Sequence, residues 1–140
     1  MAPTLILIDT HVLIWLAAQS REIPRSLRQR LDAADSILVS AVSCWEIATL
    51  ASRGRIRLDQ PPQLWVSELQ DDSRFSLVSL SPQMALSSGD LDASGFHGDP
   101  ADRLIYATAL HLRVPLATKD QRIRSYAKTA PGHLKVHCLW

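Results

Sequence analysis

The chain alternates short apolar runs with segments of helical periodicity along its whole length, and no other feature of the sequence constrains the fold as strongly. The apolar runs have the length and composition of strands that are buried on both faces of a parallel sheet. They span residues 4–9, 36–40, 75–80 and 114–120, with a fifth predicted strand within 132–140. The predicted helices span residues 12–18, 24–34, 43–55, 61–72, 82–91, 100–113 and 121–128.

This order of elements predicts an α/β protein, a three-layer α/β/α sandwich around a mainly parallel sheet of about five strands. Right-handed crossovers between parallel strands place helices on both faces of such a sheet. The 140 residues are 46% hydrophobic, which is enough for one domain with its own core. We therefore expect a single domain over residues 1–140.

Charge and cysteine content exclude several classes of protein. The formal net charge is +1, so contact with a nucleic acid would have to use a local patch rather than the charge of the whole molecule. Arg21, Arg25, Arg28 and Arg30 form one basic cluster, for which a solvated face is the ordinary interpretation. The only two cysteines lie far apart, which gives neither a disulfide framework nor a zinc motif. With no signal peptide and no membrane span in the sequence, we expect a cytoplasmic protein.

Four carboxylates occupy positions that a parallel sheet would bring to one edge. Asp9 ends the first predicted strand, and Asp120 ends the fourth. Glu46 lies one turn into the helix after the second strand, and Asp102 lies in the first turn of the helix before the fourth. Ligands of open α/β sheets bind beyond the carboxyl ends of the strands. We therefore expect all four side chains to face the same edge of the sheet.

Each of these acids also has an ordinary structural interpretation. Ser43 and Glu46 have the spacing of a capping box at the start of a helix. Asp99 would cap the predicted helix that contains Asp102, with Pro100 at the first position of that helix. The two strand-end acids would then be ordinary loop-start residues. These separate explanations do not account for four acids at one edge of one sheet.

Carboxylates held close together repel one another, so some would bind protons unless a cation lay between them. Mg²⁺ and Mn²⁺ prefer carboxylate oxygens and keep water ligands for chemistry. The positive ends of the two helices would help to keep Glu46 and Asp102 ionised. A divalent ion held in this way activates water and offsets negative charge on a phosphodiester.

Four stretches of the chain together carry a resemblance to a known family. They read LIDTHVLIW, SCWEI, DPADRLIYATAL and ATKDQRI. As a set they resemble the PIN domain, and specifically the VapC-type toxins of bacterial toxin–antitoxin pairs, over essentially the whole chain. The resemblance implies an α/β/α sandwich and a metal-dependent endoribonuclease that acts on RNA, forms homodimers and is inhibited by a co-encoded antitoxin.

The resemblance also implies roles for the four acids. Asp9 and Asp102 would hold Mg²⁺ or Mn²⁺, and Glu46 and Asp120 would complete the acidic pocket directly or through water. No histidine is required as a base. The sequence keeps an acid at every one of these positions.

Neighbouring residues receive supporting roles from the same resemblance. Thr10 and Thr118 match positions that are commonly Ser or Thr, and their hydroxyls would orient a bound water or a carboxylate. Asp99 would be a helix cap first and a supporting residue of the metal site second. Arg103 and Lys119 would contact RNA phosphates, unless they are ordinary surface charges.

Three other functions remain open from the residues alone. A haloacid-dehalogenase-like phosphatase would need a second Asp two residues after the first, where His11 stands. A phospho-acceptor receiver would need an acidic pair before its acceptor, which is absent, and a late lysine, which Lys119 matches weakly. A non-catalytic binding module would use the acids only as helix caps.

Overall fold

The fold is described here from a computed structural model, which covers residues 2–96 and 98–140. The described residues form five strands in a single sheet, in the order β3-β2-β1-β4-β5. Every neighbouring pair is parallel, so the predicted mainly parallel sheet is entirely parallel. The strands are β1 (Leu5–Ile8), β2 (Ser36–Ser40), β3 (Phe75–Val78), β4 (Leu116–Ala117) and β5 (Cys138–Leu139).

Seven α-helices in the described residues connect these strands, as the sequence predicts, and a short 3₁₀ turn (Gly132–Leu134) precedes β5. None of the helices in the described ranges combines the length and the hydropathy that a membrane-spanning segment requires. The helices are α1 (Thr10–Ala17), α2 (Arg25–Ala33), α3 (Ala41–Ser52), α4 (Pro62–Asp71), α5 (Pro82–Ala93), α6 (Pro100–Leu112) and α7 (Gln121–Thr129).

The core consists of one apolar cluster on each face of the sheet. Alternate residues of a strand point to opposite faces, and in β1 Leu7 belongs to one cluster while Ile6 and Ile8 belong to the other. The first cluster packs against α5, α6 and α7, and the second packs against α1, α2 and α4. Two buried faces give the three layers, and they favour central strands such as β1 that are apolar on both faces.

The last two predicted strands are much shorter in the structure than in the sequence prediction. β4 covers two residues rather than 114–120, because Asp120 already caps the next helix. β5 also covers two residues. Upstream of it the buried Tyr106 hydroxyl donates to Leu134 O at 2.7 Å and accepts from Val136 N at 3.2 Å. These bonds use backbone groups that a longer strand would pair with its neighbour.

Candidate active site

A cavity of about 390 Å³ lies at the carboxyl edge of the sheet, and we call it the acid cavity. All four acids singled out in the sequence line it, although they come from four separate segments of the chain. Asp99 lines it as well. The remaining lining residues are Thr10, His11, Trp15 and Lys119.

Asp9 is the most deeply buried carboxylate of the cavity, with 6% of its surface exposed. It follows β1 directly and caps α1, where its Oδ1 accepts from Val12 N at 2.9 Å. Its Oδ2 accepts from the Thr118 hydroxyl. Burial raises the pKa of Asp9 above its ordinary value, while the two hydrogen bonds and the nearby His11 act in the opposite direction.

Asp120 is fixed to the same structure from the neighbouring strand. It caps α7, and its Oδ1 accepts from Ile123 N at 3.0 Å. Its own backbone N donates to Thr118 Oγ1 at 3.0 Å. Thr118, which is fully buried after β4, therefore joins the two strand-end acids through one hydroxyl group.

Glu46 lies on the helix side of the cavity and is bonded to α1. Thr10 Oγ1 donates to Glu46 Oε1 at 2.5 Å and lies 2.9 Å from the hydroxyl of the buried Ser43. The predicted capping box of Ser43 and Glu46 is wrong, because α3 begins earlier and Ser40 caps it, accepting from Val42 N at 3.1 Å. The strand β2 runs into the helix without a loop, so both predicted capping residues lie inside the helix and face α1.

Asp99 and Asp102 stand at the start of α6, and neither is held by the bonds that fix the strand-end acids. Asp99 is the N-cap residue and Pro100 opens the helix, as predicted. The expected capping bond is absent, however, because the Asp99 side chain makes no hydrogen bond to the helix end and lines the acid cavity instead. Within the described residues no hydrogen bond to the Asp102 carboxylate is found either.

The environment of Asp102 disfavours its negative charge. Partial burial, followed by the charges of Asp120, Glu46, Asp99 and Asp9, raises the pKa of Asp102 to about 7. A strongly raised carboxyl pKa in a cleft is typical of a functional site.

The two basic residues predicted to contact RNA occupy different places. Lys119 lines the acid cavity, where its Nζ donates to Glu22 Oε2 at 2.7 Å and lies 5.6 Å from the centre of the Trp15 ring. Arg103 is not among the cavity residues. Its guanidinium donates to Asp92 Oδ1 at 3.1 Å and to Gly98 O at 3.2 Å.

Two further cavity residues, His11 and Trp15, had no assigned role in the sequence analysis. Their rings lie 5.8 Å apart on α1. The signal that could have placed them together is the spacing between the two, because residues four apart on a helix share a face. Both follow the first acid on the helix that it caps.

The donor chemistry of the cavity fits a hard divalent cation. All five acidic side chains offer oxygen atoms, which Mg²⁺ and Mn²⁺ prefer. As the structure stands, no group of three Asp, Glu, His or Cys side chains in residues 2–96 and 98–140 is arranged to hold an ion. In the part of the chain that the structure describes, the carboxylates of Asp99 and Asp102 accept no hydrogen bond, so their oxygen atoms are available to an ion.

Comparison with known proteins agrees with this architecture. Residues 6–129 match the PIN domain family. Ribonuclease VapC22 of Mycobacterium tuberculosis is 39% identical over 128 residues, which are 91% of this chain and 96% of the relative.

Solved structures of low sequence identity share the fold. DNA-bound VapBC from Salmonella typhimurium matches with a TM-score of 0.67 and 18% identity over 97% of each chain. VapBC2 from Rickettsia felis, bound to a DNA fragment from its promoter, matches with a TM-score of 0.66 and 16% identity over 98% of this chain and 100% of that one. These identities establish the fold alone. Taken with the family match and the 39% identical relative, they show that the chain belongs to the PIN domain family and to its VapC-type members.

Proposed function

We propose that this protein is a metal-dependent endoribonuclease, the toxin of a VapBC-like toxin–antitoxin pair that works in the cytoplasm. One observation carries the proposal: four acids from four separate segments, Asp9, Glu46, Asp102 and Asp120, line one cavity at the carboxyl edge of the sheet. The 39% identical ribonuclease supports RNA as the substrate. Membership of the PIN domain family disfavours the phosphatase and receiver alternatives.

Asp9 and Asp102 would hold Mg²⁺ or Mn²⁺, with Glu46 and Asp120 completing the ring of carboxylates directly or through water. When bound, the ion would lower the pKa of a water molecule and offset the negative charge that develops on the phosphodiester. The hydroxyl of Thr118 holds the Asp9 carboxylate in place. Ordered carboxylates of this kind reduce the reorganisation that the reaction requires.

A second groove, of about 560 Å³, borders the acid cavity between α3 and α6 and supports an antitoxin as the partner. It shares Glu46 and Asp99 with the acid cavity, and its other lining residues are mainly apolar. Trp45, which lines it, is 62% exposed. A protein segment placed here would cover apolar surface and close one side of the acid cavity. A homodimer is also proposed, on the family resemblance.

The test is cleavage of RNA with Mg²⁺ or Mn²⁺ by the purified wild-type protein and by Asp9→Asn. Asp90→Asn, which changes an exposed acid of α5, is the matched control. We expect EDTA to abolish cleavage and Asp9→Asn to slow it by at least about 100-fold, since an ion of this kind contributes several kcal/mol. Asp90→Asn should cleave like the wild type.

Cleavage that survives both EDTA and Asp9→Asn would overturn the metal mechanism. A wild-type protein that binds its antitoxin and cleaves no RNA would instead favour a non-catalytic binding module. If cleavage is confirmed, the cellular RNAs that are cut after induced expression would identify the substrate. No motif of the sequence specifies which RNA is recognised.

A further inference from the structure

Another groove, of about 680 Å³, is lined by four arginines and a single acid. We call it the arginine groove. Its arginines are Arg21, Arg25, Arg28 and Arg74, and the acid is Asp32. Three of the four come from the loop before α2 and from α2 itself. These three, Arg21, Arg25 and Arg28, belong to the basic cluster of the sequence, and the proposed activity does not use them.

Most of the positive charge in the arginine groove is not neutralised by neighbours. Arg74 is paired with Asp72 at 3.0 Å. Among the described residues no ion pair involves Arg21, Arg25 or Arg28. Arg28 donates instead to the carbonyl oxygen of Ser20 at 2.9 Å, which holds its guanidinium against the loop without reducing its charge.

The start of α2 adds further donors at the same place. Pro24 is the N-cap residue, lines the groove and provides no side-chain cap. The first-turn amides of this nine-residue helix therefore lack a side-chain partner. Guanidinium groups bind phosphate oxygens in a bidentate manner, and amides at a helix start favour negative charge. The groove therefore has the donor set of a phosphate-binding surface.

One loop, residues 18–24, connects the arginine groove to the acid cavity. Trp15 lines the acid cavity and the next residue, Leu16, lines the arginine groove, so the two sites lie on neighbouring faces of α1 without sharing a lining residue. Ser20 N donates to Trp15 O at 2.8 Å, which keeps the loop against that helix. On the other side of the loop, Glu22 pairs with Lys119 of the acid cavity at 2.7 Å.

The acid cavity alone is a poor site for a polyanion. Its five carboxylates repel phosphates, and the net charge of +1 offers little general attraction. An extended phosphate chain that reaches the cavity therefore needs cationic contacts close to it. The α3–α6 groove on another side of the cavity is mainly apolar, whereas the arginine groove supplies such contacts.

We propose that the arginine groove binds the phosphate backbone of the RNA on one side of the bond that is cut, with Arg21 and Arg25 as two of its contacts. This inference rests on the proposed ribonuclease function. An acidic peptide would also meet the arginines, but it would be repelled where the surface continues into the acid cavity. A phosphodiester chain can use both, because the proposed divalent ion neutralises the cavity.

The test measures binding of a fluorescent single-stranded oligouridylate in EDTA, where no cleavage takes place, over a series of salt concentrations. Without the ion the acid cavity repels the oligonucleotide equally in all variants, so differences between variants report the groove. The charge-reversal variant Arg21→Glu/Arg25→Glu is compared with Arg55→Glu/Arg57→Glu, which makes the same change in net charge at exposed positions outside the groove. We expect the groove variant to bind at least about tenfold more weakly. Its plot of log K against log salt should also be less steep, by about 1.4, the value for two lost single-strand phosphate contacts. The control should stay within about twofold of the wild type.

A single-residue comparison guards against misfolding. Arg25 lies in the groove and Arg30 lies on the same helix outside it, so Arg25→Glu should weaken binding and Arg30→Glu should not. Equal losses in both, or no loss in the groove variant, would overturn the inference. Tighter binding of polyglutamate than of the oligouridylate would also overturn it, in favour of an acidic protein partner.

Failure of this inference is distinguishable from failure of the proposed function. If the wild type cleaves RNA and the groove variant has the same KM, the activity stands and the groove has another use. If the wild type binds the oligouridylate through the groove and cleaves no RNA, phosphate binding by the groove stands, whereas the activity and the groove's place beside a cut bond are wrong. We expect cleavage by both proteins, with KM raised more than kcat is lowered in the groove variant.

Discussion

The strand-borne acids of the cavity and the acids at the start of α6 are held in opposite ways. Asp9 and Asp120 follow β1 and β4, each accepts a backbone hydrogen bond from the helix that it caps, and Thr118 joins them. Asp99 and Asp102 start α6, and in the described residues no hydrogen bond to either carboxylate is found. The pKa of Asp102 is raised to about 7 by partial burial and by the other four acids.

This difference shows that the acids of one cavity are positioned in two different ways. Asp9 and Asp120 are prearranged, because hydrogen bonds fix the positions of their carboxylates. Burial still raises the pKa of Asp9. Within the described residues no such bond fixes Asp99 or Asp102, and burial and the other four acids raise the pKa of Asp102. Binding of a cation would therefore change the positions of Asp99 and Asp102 more than those of Asp9 and Asp120.

The largest effect on cleavage is expected when Asp102, one of the two acids at the start of α6, loses its charge. Asp102→Asn should slow RNA cleavage by at least about 100-fold, because it removes a proposed metal ligand. In the absence of metal the same change should raise the melting temperature at pH 8, since it relieves repulsion. Cleavage assays and thermal melts measure the two effects, with Asp90→Asn as control. Cleavage within threefold of the wild type would remove Asp102 from the site.

A smaller effect on cleavage is expected when Asp9 and Asp120 lose the Thr118 hydroxyl that joins them. Thr118→Val keeps the shape but removes the donor to Asp9 and the acceptor for Asp120 N. We expect cleavage to fall by about tenfold and the free energy of unfolding to fall by about 1–3 kcal/mol, the cost of unpaired buried polar groups. Denaturant titration and cleavage assays measure both. Thr129→Val, at an exposed position on α7, should change neither, and an equal loss there would contradict the assigned role.

The raised pKa of Asp102 also predicts how the free energy of unfolding depends on pH. Folded Asp102 has a pKa of about 7 against an ordinary value of 3.8, so the folded protein holds a proton that the unfolded chain has already released. The free energy of unfolding should therefore fall as pH rises from about 4 to about 7 in the metal-free protein. The raised pKa of Asp9 acts in the same direction.

Thermal melts between pH 4 and pH 8 measure this dependence. Mg²⁺ should flatten the upper part of the curve, because it binds the ionised carboxylates of the folded protein. Asp102→Asn should flatten the metal-free curve without added ion. A wild-type curve that rises over this range would contradict the assignment of the raised pKa to Asp102.

The smallest effect is expected at Asp99. It makes no capping bond, so Asp99→Asn should leave the melting temperature nearly unchanged. We expect cleavage to fall by no more than about threefold, as for a charge at the edge of the cavity rather than a direct ligand. The same assays measure it. A loss as deep as that of Asp102→Asn would make Asp99 a metal ligand.

Several features of the fold and of the site could be predicted because their causes are local. The apolar run that ends at Asp9 requires a strand buried on both faces, and it forms β1. Pro100 opens α6, and Gly54, with φ of +67°, follows the C-cap of α3, each at the position that its backbone preference suits. Helix and strand existence along the chain follows the same rules.

Features that depend on distant partners were not predictable in this way. Ser43 has the spacing of a capping residue, but it lies inside α3 and contacts Thr10. Asp99 has the sequence of a helix cap and faces the acid cavity instead. Ser43 is drawn to Thr10, a neighbour from another part of the chain, whereas Asp99 keeps the N-cap position and lacks only the capping bond.

The sequence by itself determined the order of strands and helices, the parallel sheet and the edge at which the acids gather, because apolar periodicity and strand direction fix all three. Only the tertiary structure decided which carboxylates are held and which are free. Hydrogen bonds from Val12, Thr118 and Ile123 reach the strand-borne acids, and no local pattern encodes that Thr118 lies against Asp9. The pKa values of Asp9 and Asp102 in turn are raised by burial and by neighbouring acids, which are properties of the assembled cavity rather than of any one segment.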